Sequence, residues 1–322
     1  MRIGYFLSSE EYSPADLIEQ ARGAERAGFT GLWISDHYHP WVDAQGQSAF
    51  VWSTIGALSQ VCALPITTAV TCPTVRIHPA IVAQAAATSA AMMPGRFFLG
   101  VGSGEALNEH VVGAEWPPTH IRQEMLEEAI TVIRLLWKGG LQNHRGRHYR
   151  VDNARIYSLP DQLPPIYMAA GGPRAGEIAG KIGDGMVGTS PKADIIKAFE
   201  KAGGQGKPRH AEATVCWAKT EAEARKTAHK IWPISVIPSP LAWELPLPSQ
   251  FEAAAALVTE DAIAKEIVCG PDPQRHLELI GKYVEAGYDH VCIHQVGPEQ
   301  KGFFEFYRRE VLPKLSSLRA AA

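Results

Sequence analysis

The sequence contains few cysteines and no large excess of charge of either sign. Of its 322 residues only five are cysteine, an odd number, and no two of them stand in a C-x-x-C spacing. This pattern argues against a disulfide framework and a zinc ribbon, and it predicts a reducing compartment. The formal net charge of -3 provides no basic surface, so we expect no nucleic acid and no membrane surface among the partners.

Long apolar runs are also missing. The opening segment MRIGYFLSSEEYSP lacks the basic start and the long apolar stretch of a signal peptide. The most apolar window, Pro79–Met93, is rich in alanine and interrupted by Gln84, Thr88 and Ser89, so it is too short and too polar to span a bilayer. We therefore expect a cytoplasmic protein.

The composition, 46% apolar and 20% charged, is that of a globular protein able to bury a large core. A short β-rich run, a polar or glycine-rich loop and a helical pattern recur along the chain. Eight such runs predict parallel strands, which favours a closed (β/α)8 TIM barrel, an α/β fold, formed by residues 1–322 as one domain. The predicted strands are Arg2–Leu7, Gly31–Ser35, Ile66–Thr71, Phe97–Val101, Ile166–Ala170, Gly185–Gly188, Ala213–Ala218 and His290–Val296.

Two segments interrupt this rhythm and are interpreted as insertions. Residues 139–163 contain N-H-R-G-R-H-Y-R-V, which predicts a β-hairpin around Gly146. The second insertion covers about residues 233–270 and begins with a proline-rich stretch, Pro233–Pro248. We expect that stretch to form a loop over one end of the barrel.

In a TIM barrel the catalytic residues follow the carboxyl ends of the strands. Five predicted strands are followed there by glycine, acidic, histidine or small polar residues: Ser35–Trp41, Cys72–Arg76, Gly102–Glu109, Gly171–Pro173 and Thr189–Lys192. Loops are commonly polar, so polarity alone does not separate a site from a surface. The aromatic Trp41 beside an Asp-His pair is not explained in that way.

Several of these residues have both a structural and a functional interpretation. Asp36-His37 is compatible with a capping Asp and a solvated His, but the strand-end position favours proton transfer by His37. Glu105 is either a helix-capping carboxylate or a general acid at the barrel mouth. The spacing Gly100-x-Gly102-x-Gly104 fails as a dinucleotide fingerprint because Glu105 follows where a later glycine is required.

Weaker signals come from histidine pairs and helix starts. His37-x-His39 resembles a chelating pair, and His290 and His294 share one strand face, but these are too few ligands, so we expect no metal. Gly171-Gly172 would allow a cofactor to approach the backbone closely. The segment 189–192, T-S-P-K, predicts a hydroxyl-capped helix start, which is either plain capping or an anion site.

Four strings together resemble one known family: S-D-H-Y-H-P-W (35–41), G-V-G-S-G-E-A-L-N-E (100–109), A-A-G-G-P (169–173) and G-D-G-x-x-x-T-S (183–190). The chain is similar, over essentially its whole length, to the F420-dependent glucose-6-phosphate dehydrogenase group of the bacterial-luciferase-like superfamily. The resemblance implies a barrel that binds coenzyme F420 at the strand ends, commonly as a homodimer.

The resemblance also implies roles for individual residues. His37 would be the base on the substrate hydroxyl, Glu105 the acid, and Trp41 and Glu10 would line the reacting centre. A non-prolyl cis peptide is implied at Ala69-Val70. The residues implied to bind the cofactor are Asp36, Ala69, Val70, Cys72, Asn108, Ala170, Gly171 and Gly172, and those implied for the substrate are Thr189 and Lys192.

The sequence departs from the family pattern where the sugar phosphate binds. Lys192 matches one of three basic positions, whereas the other two fall on Ala253 and Leu279, with Lys265 or Arg275 as substitutes. Each charge-assisted contact is worth roughly 1.5–3 kcal/mol, so this difference weakens the expectation of a phosphate. A sugar, a sugar phosphate and another alcohol therefore all remain candidate substrates.

Three functions therefore remain open. The combination of His37, Glu105 and Trp41 favours an F420-dependent dehydrogenase that oxidises a hydroxyl group. The alternatives are a flavin-dependent monooxygenase or F420-dependent reductase on the same fold, and a cofactor carrier without catalysis.

Overall fold

The computed structural model describes residues 1–315 and contains a closed parallel barrel with surrounding helices. The strands are β1 (Arg2–Leu7), β2 (Leu32–Ile34), β3 (Ile66–Thr68), β4 (Phe97–Val101), β5 (Gln142–Arg145), β6 (Arg150–Ala154), β7 (Ile166–Ala169), β8 (Gly185–Gly188), β9 (Arg209–Cys216), β10 (Val268–Cys269) and β11 (His290–Gln295). The helices are α1 (Pro14–Ala27), α2 (Val51–Val61), α3 (Pro79–Met92), α4 (Ala106–Glu109), α5 (Thr119–Leu136), α6 (Pro173–Ile182), α7 (Ala193–Phe199), α8 (Glu221–Ile231), α9 (Ser239–Ala242), α10 (Pro248–Ala255), α11 (Glu260–Glu266), α12 (Pro273–Ala286) and α13 (Gln300–Phe306).

Eight strands close the barrel in the order β1-β2-β3-β4-β7-β8-β9-β11, each parallel to the next. The pairing of β11 with β1 completes the circle, with Arg2 opposite His290. The predicted (β/α)8 barrel is confirmed. Because all eight strands run in the same direction, the loops at their carboxyl ends meet at one end of the barrel.

Helix α1 illustrates how local sequence sets the outer layer. The Ser13 side chain accepts a hydrogen bond from the Asp16 N–H, Pro14 occupies the first turn, and Gly28 ends the helix with φ 96°. Leu17, Ala21, Ala24 and Ala27 are buried against the strands, as the apolar spacing predicts. The start and end signals of this helix are therefore confirmed.

Strand β9 begins at Arg209, four residues before the predicted start at Ala213. Its outward-facing residues Ala211, Ala213 and Val215 belong to the main core, whereas the alternate residues are polar and face the barrel interior. Polar interior residues weaken the hydrophobic signal of a strand, which is why the first half of β9 was missed.

Helix α2 was also missed by the sequence analysis. Its N-cap Phe50 makes no side-chain cap and its first turn has no acidic residue, so the usual start signals are absent. Strands β2 and β3 are shorter than predicted, ending at Ile34 and Thr68.

Both insertions contain regular structure. The predicted hairpin is confirmed as the antiparallel pair β5–β6. The proline-rich stretch was expected to be a loop, but it forms a 3₁₀ turn (233–236) and α9, and the rest of the insertion adds α10 and α11. At its end, β10 pairs with β9 through Val268 and Val215, so the second insertion joins the barrel sheet.

Among the described helices none is both long and apolar enough to cross a membrane.

We expect Gly100→Ala to lower the free energy of unfolding by about 3 kcal/mol or more. A Cβ at Gly100 would lie 1.8 Å from the backbone oxygen of Thr68 on the neighbouring strand, which has no room to move. The matched control is Gly56→Ala within α2, where a Cβ would meet no atom within 4 Å. Because alanine favours a helix more than glycine does, this substitution should raise the free energy of unfolding by up to about 1 kcal/mol. Urea unfolding followed by tryptophan fluorescence measures both; equal stabilities would contradict the close packing of β3 and β4.

Candidate active site

A buried carboxylate and a histidine form a pair at the carboxyl ends of β1 and β2. Glu10 is 1% exposed, and its Oε2 accepts hydrogen bonds from Ser35 Oγ at 2.6 Å and Ser8 Oγ at 3.0 Å. Its other oxygen, Oε1, lies 3.2 Å from His37 Nε2. The second ring nitrogen of His37, Nδ1, lies 3.2 Å from the His39 carbonyl oxygen. A carbonyl only accepts, so this contact places a proton on Nδ1 and leaves Nε2 facing Glu10.

Trp41 covers this pair. Its ring lies 5.0 Å from the His37 ring and packs edge-on against Phe251 of α10 at 5.2 Å. The Trp41 backbone N–H donates to Gln45 Oε1 at 2.8 Å, which fixes the loop that carries it. The second insertion therefore helps to position an aromatic side chain beside His37.

Asp36, the residue before His37, belongs to a buried charged network. Thr71 Oγ1 donates to its Oδ2 at 2.7 Å and Arg76 Nη2 donates to its Oδ1 at 2.8 Å. Glu109 shares the same cation, because its Oε1 lies 3.6 Å from Arg76 Nε and its Oε2 accepts the Arg76 backbone N–H at 2.7 Å. One guanidinium thus faces two fully buried carboxyl groups.

The short helix α4 carries Glu105, Asn108 and Glu109 into this region. Glu105 occupies the N-cap position but makes no side-chain capping hydrogen bond, so the capping interpretation is not supported, and the residue is partly exposed. Asn108 Oδ1 accepts the backbone N–H groups of Tyr38 at 2.9 Å and His39 at 3.3 Å. This amide ties the helix to the loop of His37. Within residues 1–315 its Nδ2 is buried without a hydrogen-bond partner.

Burial and charge shift the pKa values of two groups beside Glu105. Burial raises the pKa of Glu109 to about 7, although the hydrogen bond from the Arg76 N–H and the Arg76 charge oppose the shift. Burial also raises the pKa of the Cys72 thiol well above its usual range, and the charge of Glu105 adds to this effect. Cys72 is therefore a neutral thiol in this structure.

The other predicted cofactor residues lie on the β3 and β7 ends of the barrel. The peptide bond between Ala69 and Val70 is cis, as the resemblance implied. Ala170 is buried, and a Cβ on Gly172 would meet no atom within 4 Å. A Cβ on Gly171 would lie 3.4 Å from a ring carbon of Trp243, so the backbone borders open space at Gly172 and not at Gly171.

The second insertion closes over the same end of the barrel. The Trp243 carbonyl accepts the Ala106 N–H at 2.9 Å, and its ring lies against Gly171. Glu244 forms an ion pair with the buried Arg122 at 3.2 Å. The insertion is thus held to both the β4 and the β7 loops.

The residues predicted for the substrate follow the carboxyl end of β8. Thr189 and Lys192 are exposed, and α7 begins at Ala193 with no side-chain cap, so the predicted hydroxyl-capped helix start is wrong. Arg275 is engaged by Glu221 at 3.3 Å and by the Cys269 carbonyl oxygen at 3.2 Å. Lys265 is exposed on α11. Ala253 lies on α10 and Leu279 packs against the core from α12, so neither carries charge to the site.

A second buried charge cluster, which was not predicted from the sequence, lies in the barrel interior. His294 lies between Glu11 Oε1 at 2.9 Å and Glu212 Oε1 at 3.2 Å. Burial alone lowers the pKa of His294, but the hydrogen bonds and charges of the two carboxylates raise it to about 10. His290 lies on the same strand face, with its ring centroid 4.4 Å from that of His210, and burial lowers the pKa of His290 to about 4.

In the described part of the chain no three His, Cys, Asp or Glu side chains are arranged to hold a metal ion.

Arg76, Glu109, Glu11 and Glu212 were not singled out from the sequence. Arg76 and Glu109 end two of the strand-end segments that were, so their position was an available signal. Glu212 lay in the missed half of β9. Glu11 is adjacent to Glu10, and no pattern in the sequence separates the two carboxylates.

The chain is similar to known proteins over nearly its whole length. The family model described as luciferase-like monooxygenase matches residues 1–290. The chain belongs to this family. F420-dependent glucose-6-phosphate dehydrogenase of Mycolicibacterium smegmatis is 34% identical over 332 residues, covering 99% of each chain, and that of Beutenbergia cavernae is 35% identical, covering 98% of this chain and 97% of the relative.

Two solved structures are also similar to the chain. An F420-dependent secondary alcohol dehydrogenase in complex with an F420-acetone adduct superposes with a TM-score of 0.90 at 32% identity, covering 96% of this chain and 98% of the other. The F420-dependent tetrahydromethanopterin reductase of Methanopyrus kandleri, with a TM-score of 0.78, 21% identity and coverage of 97% and 99%, shares the fold.

We expect His294 to make the stability of the protein depend on pH. Its pKa is raised on folding from 6.5 to about 10, so its contribution is complete below pH 6.5 and is lost as the pH rises through about 10. The difference in unfolding free energy between the wild type and His294→Gln should therefore shrink between pH 7 and pH 10. Urea unfolding at several pH values measures it.

The control for this prediction is His290→Gln on the same strand. The pKa of His290 is lowered to about 4 on folding. Its contribution to the free energy of unfolding therefore changes only in acid and is constant above pH 7. A constant difference for His294→Gln as well would show that His294 is neutral when buried.

Proposed function

We propose that this protein is an F420-dependent dehydrogenase that oxidises a hydroxyl group of a sugar, a sugar phosphate or another alcohol. The relatives at 34–35% identity are F420-dependent glucose-6-phosphate dehydrogenases, and the structural neighbour at 32% is an F420-dependent secondary alcohol dehydrogenase. The observation that carries the proposal is the pair of the buried Glu10 and the partly buried His37 beside Trp41, because oxidation of a hydroxyl group needs a base at the reacting oxygen.

His37 is suited to be that base. The His39 carbonyl oxygen accepts the proton of Nδ1, so Nε2, which faces Glu10, is the nitrogen that would accept the substrate hydroxyl proton. The imidazolium that results lies 3.2 Å from Glu10 Oε1, whose negative charge stabilises it. Ser35 and Ser8 hold the Glu10 carboxylate from the other side, so its position is set before the substrate binds.

Two observations support the fit of coenzyme F420 to this end of the barrel. The buried Asn108 Nδ2 is a donor without a partner in residues 1–315, and the space at Gly172 lies open beside the backbone of Gly171. When bound, F420 supplies a carbon centre that accepts a hydride. The residues that would hold it are Asp36, Ala69, Val70, Cys72, Asn108, Ala170, Gly171 and Gly172.

Glu105 completes the proposed chemistry as the acid. Its uncapped carboxyl group is partly exposed at the start of α4, and Asn108 ties that helix to the loop of His37. Holding a proton at Glu105 would compensate the negative charge that arrives with the hydride. Base and acid thus come from the ends of two different strands.

The proposal extends to the organisation of the protein. We propose one barrel domain over residues 1–322 that works in the cytoplasm as a homodimer. The five cysteines are free and buried, which is consistent with a reducing compartment. The dimer rests on the family resemblance.

We expect wild-type protein to bleach the visible absorbance of oxidised F420 with at least one member of a panel of glucose 6-phosphate, other sugar phosphates, free sugars and secondary alcohols. His37→Ala should lower kcat by roughly 10²–10⁴-fold, because it removes the base. His120→Ala, which removes an exposed histidine on α5, is the matched control and should be fully active.

Each other outcome has a definite meaning. Binding of F420 without bleaching would reject the dehydrogenase and lead to reductase assays, whereas oxygen consumption with reduced FMN would identify a monooxygenase. Bleaching that persists unchanged in His37→Ala would reject the proposed base.

Lys192 tests whether the substrate carries a phosphate. If it does, Lys192→Ala should raise KM for the phosphorylated substrate about tenfold or more, since one charge-assisted contact is lost. KM for the corresponding unphosphorylated sugar should not change. Lys197→Ala, one turn further along α7 and also exposed, is the control. Equal KM values for wild type and Lys192→Ala would place the phosphate elsewhere or show that there is none.

A further inference from the structure

A carboxyl group on the inner face of β9 has no assigned role. Ala211 and Ala213 pack into the main core outside the barrel sheet, so Glu212, which alternates with them, points into the barrel. Its Oε1 lies 3.2 Å from His294 Nδ1. Its Oε2 has no hydrogen-bond partner within residues 1–315 and is not enclosed, because the side chain is 16% exposed. One oxygen of Glu212 is therefore available to a ligand inside the barrel.

A buried histidine fixes the Glu212 side chain from behind. The His294 side chain is 0% exposed, and its two ring nitrogens face Glu212 Oε1 at 3.2 Å and Glu11 Oε1 at 2.9 Å. An ionised carboxylate only accepts hydrogen bonds, so these contacts place a proton on both ring nitrogens and make the ring a cation. The Gly297 N–H donates to the other oxygen of Glu11 at 2.9 Å, which holds the far end of the group. Glu212 is thus an ionised carboxylate with its position set before any ligand binds.

The sheet register places Glu212 beside the residues that the resemblance implies for the substrate. Gly188, the last residue of β8, pairs with Ala211 of β9. The next residues along the two parallel strands are Thr189 and Glu212, which are therefore neighbours. Thr189 begins the segment 189–192 at the carboxyl end of β8. The open oxygen of Glu212 thus belongs to the active end of the barrel.

The same group is connected to the proposed base. Glu11, which binds His294, directly follows Glu10, and Glu10 Oε1 lies 3.2 Å from His37 Nε2. Neighbouring residues of one loop therefore support both histidine–carboxylate groups. This arrangement offers one acceptor for the hydroxyl group that is oxidised, at His37, and a second acceptor for another hydroxyl group of the same molecule, at Glu212.

The charges at this end of the barrel do not favour a phosphate. The second insertion covers the active end, and the sequence has no Lys, Arg or His from residue 231 to residue 264. Arg122, the buried cation that contacts this insertion, is paired with Glu244. Glu212 places a negative charge next to Thr189, and like charges at short distance repel each other. A phosphate ester would meet this opposing charge, whereas a neutral hydroxyl group would find an acceptor.

We propose that Glu212 is a specificity-determining residue that accepts a second hydroxyl group of the substrate, so that the preferred substrate is an uncharged compound with two or more hydroxyl groups, such as a polyol or a free sugar. This inference rests on the proposed function, in which another hydroxyl group of the same molecule is oxidised beside His37. A hydrogen bond to an ionised carboxylate is about twice as strong as one between neutral groups. A monohydric alcohol lacks the donor for this bond, and a phosphate ester brings a charge of the wrong sign.

The test measures F420 reduction with glucose and glycerol, with their monophosphates, and with 2-propanol. For the wild type we expect the highest kcat/KM with one of the two uncharged polyhydroxylated compounds. Glu212→Gln should raise KM for that compound about tenfold, because the charge-assisted contact is lost, and should leave KM for 2-propanol unchanged. It should also raise kcat/KM for the phosphate relative to its parent compound by about tenfold or more, because the repulsion is removed.

Control variants separate this role from a general effect on the fold. Glu285→Gln removes an exposed carboxylate of α12 and should leave every KM at the wild-type value. Glu212→Asp keeps the charge but withdraws it by one methylene group. It should raise KM for the polyhydroxylated compound without improving the phosphate. The wild-type preference is measured without any variant, so it tests the inference even if a substitution at Glu212 prevents folding.

A wild-type protein that prefers a phosphate or 2-propanol to the polyhydroxylated compounds would overturn the inference. A rise in KM for F420 in Glu212→Gln, with KM for the polyhydroxylated compound unchanged, would also overturn it, because Glu212 would then bind the cofactor. Failure of the proposed function is distinguishable, since in that case no member of the panel would bleach F420.

Discussion

The arrangement of the active end of the barrel depends on one buried guanidinium. Arg76 joins Asp36 from the β2 loop to Glu109 from α4, and its own backbone belongs to the β3 loop. Removing one partner from a buried charge group leaves another charge uncompensated and is strongly destabilising. The three loops are therefore fixed relative to one another, and with them His37 on one side and Glu105 on the other.

The two insertions support this end of the barrel from outside. The hairpin docks on α5 through Glu128, which accepts the backbone N–H groups of His148 and Tyr149 at 3.0 and 2.9 Å. The Tyr149 hydroxyl in turn donates to the Thr74 carbonyl oxygen of the β3 loop at 3.0 Å. The second insertion binds the β4 loop through Trp243. Segments that look like additions to a regular barrel thus restrain the loops that carry the chemistry.

The interior of the barrel shows how neighbours decide the charge of a buried histidine. Burial lowers the pKa of both His290 and His294, yet His294 has two carboxylate partners and remains charged, whereas neither ring nitrogen of His290 finds a partner in residues 1–315. The charged His294 holds Glu11, the residue next to Glu10. The polar centre of the barrel is therefore connected to the loop on which the base depends.

The sequence was sufficient to predict the barrel, because eight apolar runs alternating with capped helices leave few other ways to bury both faces of a parallel sheet. It also determined which loops carry His37, Glu105 and Gly171, since strand ends can be read from the order of elements. It did not reveal α2, which lacks start signals, or the first half of β9, whose inward residues are polar. The contacts of Arg76 with two carboxylates, and the charge that His294 carries and His290 does not, could not be predicted because they depend on residues far apart in the chain.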